Sequence, residues 1–339
     1  MSFDQVQIEV PSSSANLGIG FDTWCIGLSY PNLKVTLRKL KEGKGIKIIN
    51  KSPYKDKLTE NPYEHSGAKA LEFLFEKLKV KDYSLQLTFE DTDYPPAKGL
   101  GRSGAEAVGS VLCGIISYSD LKDFDRKDIV LLSSYGEAGS NPKKGIRGHL
   151  DNVSGSTNGG FNIISKNALQ EVRLYHFLPK ENLGVAIGYS DYEKKGGTEA
   201  LRKILNRPIR KEDYVKTIAR ISSATFCLLK GDVDGFLEMV WEDLFHEVRR
   251  ADGRGYGNFD SKELLEFKRY LFTSFGIALN ISGAGPNIQI LYNKDRVKDW
   301  KEIENTLKDW FLKRGIGLVV KRVDIAKEGA YDKALKMLS

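Results

Sequence analysis

The run Pro95-Pro96-Ala97-Lys98-Gly99-Leu100-Gly101-Arg102-Ser103-Gly104-Ala105 holds residues that could do chemistry together. It follows a strand-like stretch and opens onto a helix of small residues. Glycines let a backbone approach a ligand closely and adopt positive φ. Free N–H groups at a helix start face whatever anion sits there. A hydroxyl at Ser103 can ligate Mg²⁺ bridging phosphate oxygens. The plainer alternative is a Gly-rich turn capping a buried helix. Gly99, Gly101 and Gly104 also satisfy G-x-G-x-x-G, but the dinucleotide fingerprint follows its strand directly, and here Pro95 and Pro96 intervene. No Walker A pattern occurs in the chain.

Three further segments add polar groups. Pro11-Ser12-Ser13-Ser14-Ala15-Asn16-Leu17-Gly18-Ile19-Gly20-Phe21-Asp22 reads as a Ser/Gly/Asn-rich loop closed by an aspartate. Gly148-His149-Leu150-Asp151-Asn152-Val153, followed by Gly159-Gly160-Phe161, puts three polar side chains within four residues. Ser282-Gly283-Ala284-Gly285-Pro286 is a second glycine turn after a strand.

These segments need a scaffold, and hydrophobic periodicity outlines it. Val6, Ile8 and Val10 alternate as a strand. Leu33–Leu40 and Lys44–Asn50 read as a strand pair about a Gly-containing turn. Asn61–Leu78 has helical spacing, with Ala68, Leu71, Phe75 and Leu78 on one face. Tyr83–Phe89 alternates again, Ala105–Ile116 suits a helix packed closely on a sheet, and Ile129–Ala138 reads as another helix. Further on, strands are expected at Gly184–Tyr189, Ile277–Ser282, Ile288–Tyr292 and Leu318–Val323. Helices are expected at Lys211–Leu229, Val233–Val248, Ser261–Phe275 and Arg296–Lys313. Helices mixed with hairpin-like strands argue an α+β fold. At 339 residues the chain fits two domains, with a boundary near Ser165.

Composition narrows the ligand classes. The chain carries 52 basic and 45 acidic residues, but its Lys and Arg are spread along it rather than gathered in the stripe that nucleic-acid binding uses. A mild positive excess suits anionic small ligands. Cys25, Cys113 and Cys227 lie far apart and form no C-x-x-C pair, which suits a reducing cytoplasm without a disulfide framework. No apolar run reaches membrane-spanning length. His65, His176 and His246 read as core or surface residues rather than ligands. His246-Glu247 begins H-E-x-x-H, but Arg250 stands where the second histidine is required. Trp241 and Phe245 read as core, and Arg207–Lys211 as a solvated turn.

Taken in order, the four chemical segments resemble the GHMP kinase superfamily, and the likeness covers nearly the whole chain. The superfamily's three motifs look like Pro11–Asp22, Pro95–Ala105 and Ser282–Pro286. The details are most similar to the homoserine kinases. Ser14–Asp22 reproduces S-A-N-L-G-x-G-F-D, and Gly159-Gly160-Phe161 follows an H-P-D-N-V-like His149–Val153 in which Leu150 replaces proline. Glu247-Val248-Arg249-Arg250 aligns with E-P-Y-R, and Arg202 aligns less cleanly with a second substrate arginine. The resemblance implies an α+β two-domain fold, with an ATP-binding domain like domain 2 of ribosomal protein S5 over residues 1–165 and a ferredoxin-like domain over 166–339. It implies ATP and Mg²⁺ as cofactors, a small hydroxyl-bearing acceptor, no nucleic-acid or membrane partner, and a homodimer as one assembly open to the chain.

By that resemblance, Asp22 meets the ammonium of homoserine, and Arg250 with Arg202 meets its carboxylate through forked donors. Asn16, His149 and Asn152 orient the hydroxyl. Ser103 and Glu137 hold Mg²⁺, and Lys98, Gly99, Leu100, Gly101, Arg102, Ser103 and Gly104 surround the phosphates. Asn61 resembles an adenine contact. Asn16, Asp151 and Arg250 are the catalytic candidates, and Asp151 either accepts the hydroxyl proton or anchors its loop. The usual phosphate-loop pattern is G-L-G-S-S-A-A, so Arg102 stands in place of a serine. A cation at a helix start calls for a compensating anion, and Arg102 is expected to reach the triphosphate, the alternative being packing across the helix start. The Gly139–Gly148 loop is longer than the pattern requires. Other acceptors of the superfamily, namely mevalonate, phosphomevalonate, threonine or a sugar, and a non-catalytic binding protein are the alternatives.

Overall fold

The structure, a computed structural model, describes residues 3–137, 140–141, 144, 146–193, 201–206 and 208–339. Ala138 at the end of the expected Ile129–Ala138 helix, Gly139, Pro142, Lys143 and Gly145 of the long loop, and Arg207 of the basic run lie outside them.

Two sheets divide the described residues. The first contains β1 (Gln5–Ala15), β2 (Trp24–Lys39), β3 (Gly45–Lys51), β4 (Ser84–Glu90), β5 (Phe161–Lys166) and β6 (Val172–Phe177), in the order β3-β4-β2-β5-β6 with β1 also on β2. The second is antiparallel, with β7 (Leu183–Ser190), β8 (Ala278–Ile281), β9 (Ile288–Asn293) and β10 (Leu318–Val323) in the order β10-β7-β9-β8. The change of sheet therefore falls between Phe177 and Leu183.

The helices are α1 (Ser66–Leu78), α2 (Arg102–Tyr118), α3 (Arg126–Ser133), α4 (Asp151–Asn158), α5 (Lys211–Lys230), α6 (Val233–Val240), α7 (His246–Asp252), α8 (Ser261–Phe275), α9 (Trp300–Leu312) and α10 (Ala330–Leu338). On α1, Leu71, Leu74 and Phe75 are buried, each stabilising the fold by roughly 1.5–3 kcal/mol. Helix α2 can lie close to the sheet because Gly109 has no side chain where a Cβ would strike Val35 and Val10.

Several expectations are corrected here. The Leu33–Leu40 and Lys44–Asn50 strands do not pair with each other. β3 runs parallel to β4, and β4 separates it from β2; a parallel pair needs a crossover, which α1 supplies. The Pro11–Gly20 segment is strand as far as Ala15. The single helix expected over Val233–Val248 is two, α6 and α7. The Asp243 carboxylate accepts the backbone N–H of Phe245 (3.2 Å) and of Glu247 (2.6 Å), which restarts the helix. β5, β6 and α10 were not expected. Helix α10 returns to the first sheet, where Arg126 pairs with Asp332 and Tyr331 Oη donates to the Phe124 carbonyl (2.9 Å).

Candidate active site

Backbone and hydroxyl contacts stitch the glycine segments together. The Ser282 hydroxyl donates to the Gly99 carbonyl (2.7 Å) and lies 2.7 Å from the Ser14 hydroxyl. The Ser13 N–H donates to the Leu100 carbonyl (3.2 Å), and the Gly283 N–H donates to that of Ala15 (3.1 Å). Gly99, at φ +86°, passes so near Ser282 that any Cβ would strike its carbonyl.

The stitched segments enclose one cavity of about 140 Å³. Its walls include Asn16, Phe21, Asp22, Ser103, Glu137 and Arg250. Asp151, Asn152, His149, Arg202 and the Lys98–Arg102 run also line it. Most residues expected at a site thus converge, although they come from both halves of the chain. Three backbones in the first segment are held at positive φ without being glycine: Asn16 (79°), Leu17 (44°) and Asp22 (55°). Asn16 closes this turn, its side-chain carbonyl accepting the Asp22 N–H (3.1 Å) and its amide donating to the Gly283 carbonyl (2.8 Å).

One wall carries the charges suited to a zwitterion. Arg202 grips Asp22 with two donors (3.1 and 3.3 Å) and donates to His149 Nδ1 (2.9 Å). Burial and the Arg202 charge hold the pKa of His149 down, so its Nδ1 is free to accept. Arg250 is 1% exposed and donates to the Gly283 carbonyl (3.2 Å). Its Nε is buried without a partner.

The opposite wall is the phosphate-loop side. Ser103, in the first turn of α2, faces the cavity. Glu137 is buried, and its Oε1 has no partner. Burial, then Asp151 and Glu106, push its pKa up to about 8. Asp151 is raised to about 7, chiefly by burial and then by Asp22. An orphaned buried carboxylate oxygen beside further carboxylates fits a divalent cation. Among the described residues no group of three His, Cys, Asp or Glu forms a metal cage.

Of the residues expected at the phosphates and nucleotide, Lys98 and Arg102 line the cavity but have side chains bonded to other groups, and Gly104 and Asn61 lie outside it. Arg102 does not reach out: its Nε donates to Glu106 (3.0 Å), and its Nη1 to Asp91 (2.8 Å) and the Tyr94 carbonyl. Two buried carboxylates balance its charge, and the side chain packs across the helix start. With Tyr94 Oη donating to the Leu100 carbonyl (2.6 Å), this brace ties the two ends of the glycine loop together. Lys98 Nζ donates to the Ser190 (2.9 Å) and Tyr192 (2.6 Å) carbonyls, fastening the loop to the second sheet. Gly104 sits behind the cavity against Asn152 and Val153. Asn61 is exposed outside the cavity, and its side chain accepts the Tyr63 N–H (3.2 Å).

Sequence reasoning gave no role to Phe21, Glu106 or His246. Phe21 is an aromatic plate for two of the cavity's cations, with the Arg250 and Arg202 guanidiniums 5.4 and 5.9 Å from its centroid. Glu106 stands four residues after Arg102, the spacing at which helical charges meet. His246 stands one turn before Arg250.

No family model matches the chain. It is 26% identical over 323 residues to a homoserine kinase of Methanococcus vannielii, covering 94% of this chain and 99% of the relative. The fold is similar to a crystal structure of homoserine kinase from Cytophaga hutchinsonii, at a TM-score of 0.76 and 20% identity over 97% of both chains. It is also similar to L. major mevalonate kinase, at a TM-score of 0.67 and 14% identity over 97% of this chain and 100% of that one. The fold is shared with these homoserine and mevalonate kinases. In sequence the chain is most similar to the homoserine kinases.

Proposed function

We propose that the chain transfers the γ-phosphoryl group of ATP to the side-chain hydroxyl of L-homoserine, forming O-phospho-L-homoserine for threonine biosynthesis in the cytoplasm. One observation carries this reading: a glycine-rich helix start with Ser103 and Glu137 shares a cavity with the Asp22 carboxylate and the Arg202 and Arg250 guanidiniums. The homoserine kinase relatives, similar over most of the chain, support it.

The triphosphate lies along Gly99–Ser103, where helix N–H groups meet anions. The adenine ring fits the adjoining cleft walled by Tyr54, Pro96, Tyr192 and Pro286, which shares Pro95, Ala97 and Lys98 with the cavity. The acceptor's ammonium meets Asp22, displacing Arg202, and its carboxylate meets Arg250 and the released Arg202. A neutral hydroxy compound offers no such exchange. Asn16, His149 and Asn152 then bound the hydroxyl. Asp151, with a pKa near working pH, can accept the leaving proton, and its bond to the Asn152 N–H (2.8 Å) also anchors the start of α4. Mg²⁺ held by Ser103 and Glu137 would supply positive charge where negative charge builds during transfer. The rest is positioning by the two walls.

The test is ADP release by the purified protein with ATP, Mg²⁺ and each of homoserine, threonine, mevalonate and galactose. Homoserine should give the highest kcat/KM. No ADP above blank with homoserine, or faster release with mevalonate or the sugar, would overturn the reading.

A further inference from the structure

Arg250 is fixed by neutral groups, and one of them reaches across to the loop that carries Asp22. His246 is fully buried. Its Nε2 lies 2.8 Å from the Gly18 carbonyl and 3.7 Å from the Asp243 carboxylate. Both are acceptors, so Nε2 carries the ring proton. Nδ1 is therefore an acceptor, and it stands 3.4 Å from Arg250 Nη1. Burial and the neighbouring Arg250 hold the pKa of His246 down to about 4, so the ring is neutral at working pH. Glu247 and Lys268 also face this region, and they are occupied with each other. The ring stacks on Phe21 (centroids 5.1 Å apart, 29° between planes), and Phe21 is the plate that Arg250 and Arg202 share.

We propose that His246 is a positioning residue for acceptor recognition: its Nδ1 orients the Arg250 guanidinium, while its Nε2–H, on the Gly18 turn, keeps that guanidinium in register with Asn16 and Asp22. The proposal rests on the reading of Arg250 as the partner of the acceptor's carboxylate. A charged ring would repel Arg250 and an apolar side chain would leave it unguided. A neutral imidazole with its proton on Nε2 does neither.

Two variants separate the ring's two contacts. His246→Gln keeps a donor toward Gly18 but offers no acceptor at the Nδ1 position, whereas His246→Asn keeps an acceptor there. His246→Gln should raise the homoserine KM about tenfold, the scale of a lost hydrogen bond to a charged group. His246→Asn should stay within about threefold of the wild type, and both should leave kcat and the ATP KM within about threefold. Nitrogen-15 NMR of the wild-type protein should show His246 as the Nε2–H tautomer. Arg250→Lys serves as the control. If it raises the homoserine KM while His246→Gln does not, or if Gln and Asn behave alike, the positioning role is wrong. The Nδ1–H tautomer contradicts it as well. An unchanged homoserine KM in Arg250→Lys instead removes the underlying reading of Arg250, and the proposal falls with it.

Discussion

Arg102 and Arg250 are both buried, at 5% and 1% exposure, but their surroundings are opposite. Arg102 is met by two carboxylates, Asp91 and Glu106. Arg250, among the described residues, is paired with none; it has a carbonyl, an imidazole nitrogen and an aromatic face. A buried cation costs several kcal/mol unless it is paired. The charge of Arg102 is therefore balanced within the fold, although its Nη2 has no partner, and its work is to brace a loop. Arg250 has no carboxylate partner among the described residues, and on the proposed function its charge meets the acceptor's carboxylate. Residue type alone does not separate a structural arginine from a recognition arginine; the charge of the neighbours does.

The same substitution at both positions sharpens the contrast. Arg102→Met leaves Asp91 and Glu106 buried without their cation, and it should cost about 3–5 kcal/mol of stability in chemical denaturation. Adding Glu106→Gln and Asp91→Asn should recover much of that loss. Arg250→Met strands no carboxylate, so its midpoint should move far less. An equal loss of stability at the two sites would remove the distinction.

On the phosphate-loop wall, Ser103→Ala and Glu137→Gln should each lower kcat on the order of 10²-fold or more, with folding little changed. Wild-type turnover in both would remove this wall from the chemistry. On the acceptor wall, Asp22→Asn should weaken homoserine binding by roughly 2–4 kcal/mol and leave the ATP KM nearly intact. Asparagine tolerates the left-handed backbone at this position (φ 55°), so backbone strain should not confuse the result.

The smallest effect is a pH slope. Glu106, Glu137 and Asp151 have folded pKa values raised to about 7, 8 and 7 by burial. Between the usual carboxylate range and those values the native state binds more protons than the unfolded one, so stability falls as pH rises. His65 and His246, lowered to about 4, act in the opposite sense, but only below their usual 6.5. From about pH 6.5 to 8 the carboxylates alone should set the slope, and the metal-free melting temperature should decline. Added Mg²⁺ and nucleotide should flatten that decline. A melting temperature that rises over this interval would contradict the buried-carboxylate account.

The two walls were unequally legible in the sequence. The glycine segments could be placed because their chemistry is local: a turn, a helix start and a hydroxyl lie within a few residues. Asp22, Arg202 and Arg250 could be named through the resemblance, but the Asp22–Arg202 pair spans 180 positions and no periodicity reports it. Arg102 was misjudged because its compensating anion was sought in a ligand, although Glu106 stood one helical turn away. In the fold, long amphipathic elements such as Ser261–Phe275 were readable from spacing. The short β5 and β6 were not, since six residues carry too little pattern.

On the proposed function Arg250 meets a ligand's carboxylate and Arg102 meets none. Comparing kcat/KM for homoserine with that for its analogue in which the carboxylate is reduced to an alcohol separates the two. The wild type should prefer homoserine strongly. Arg250→Met should lose that preference, and Arg102→Met, assayed at a temperature where it remains folded, should keep it. A preference that survives in Arg250→Met, or that disappears equally in Arg102→Met, would contradict the account.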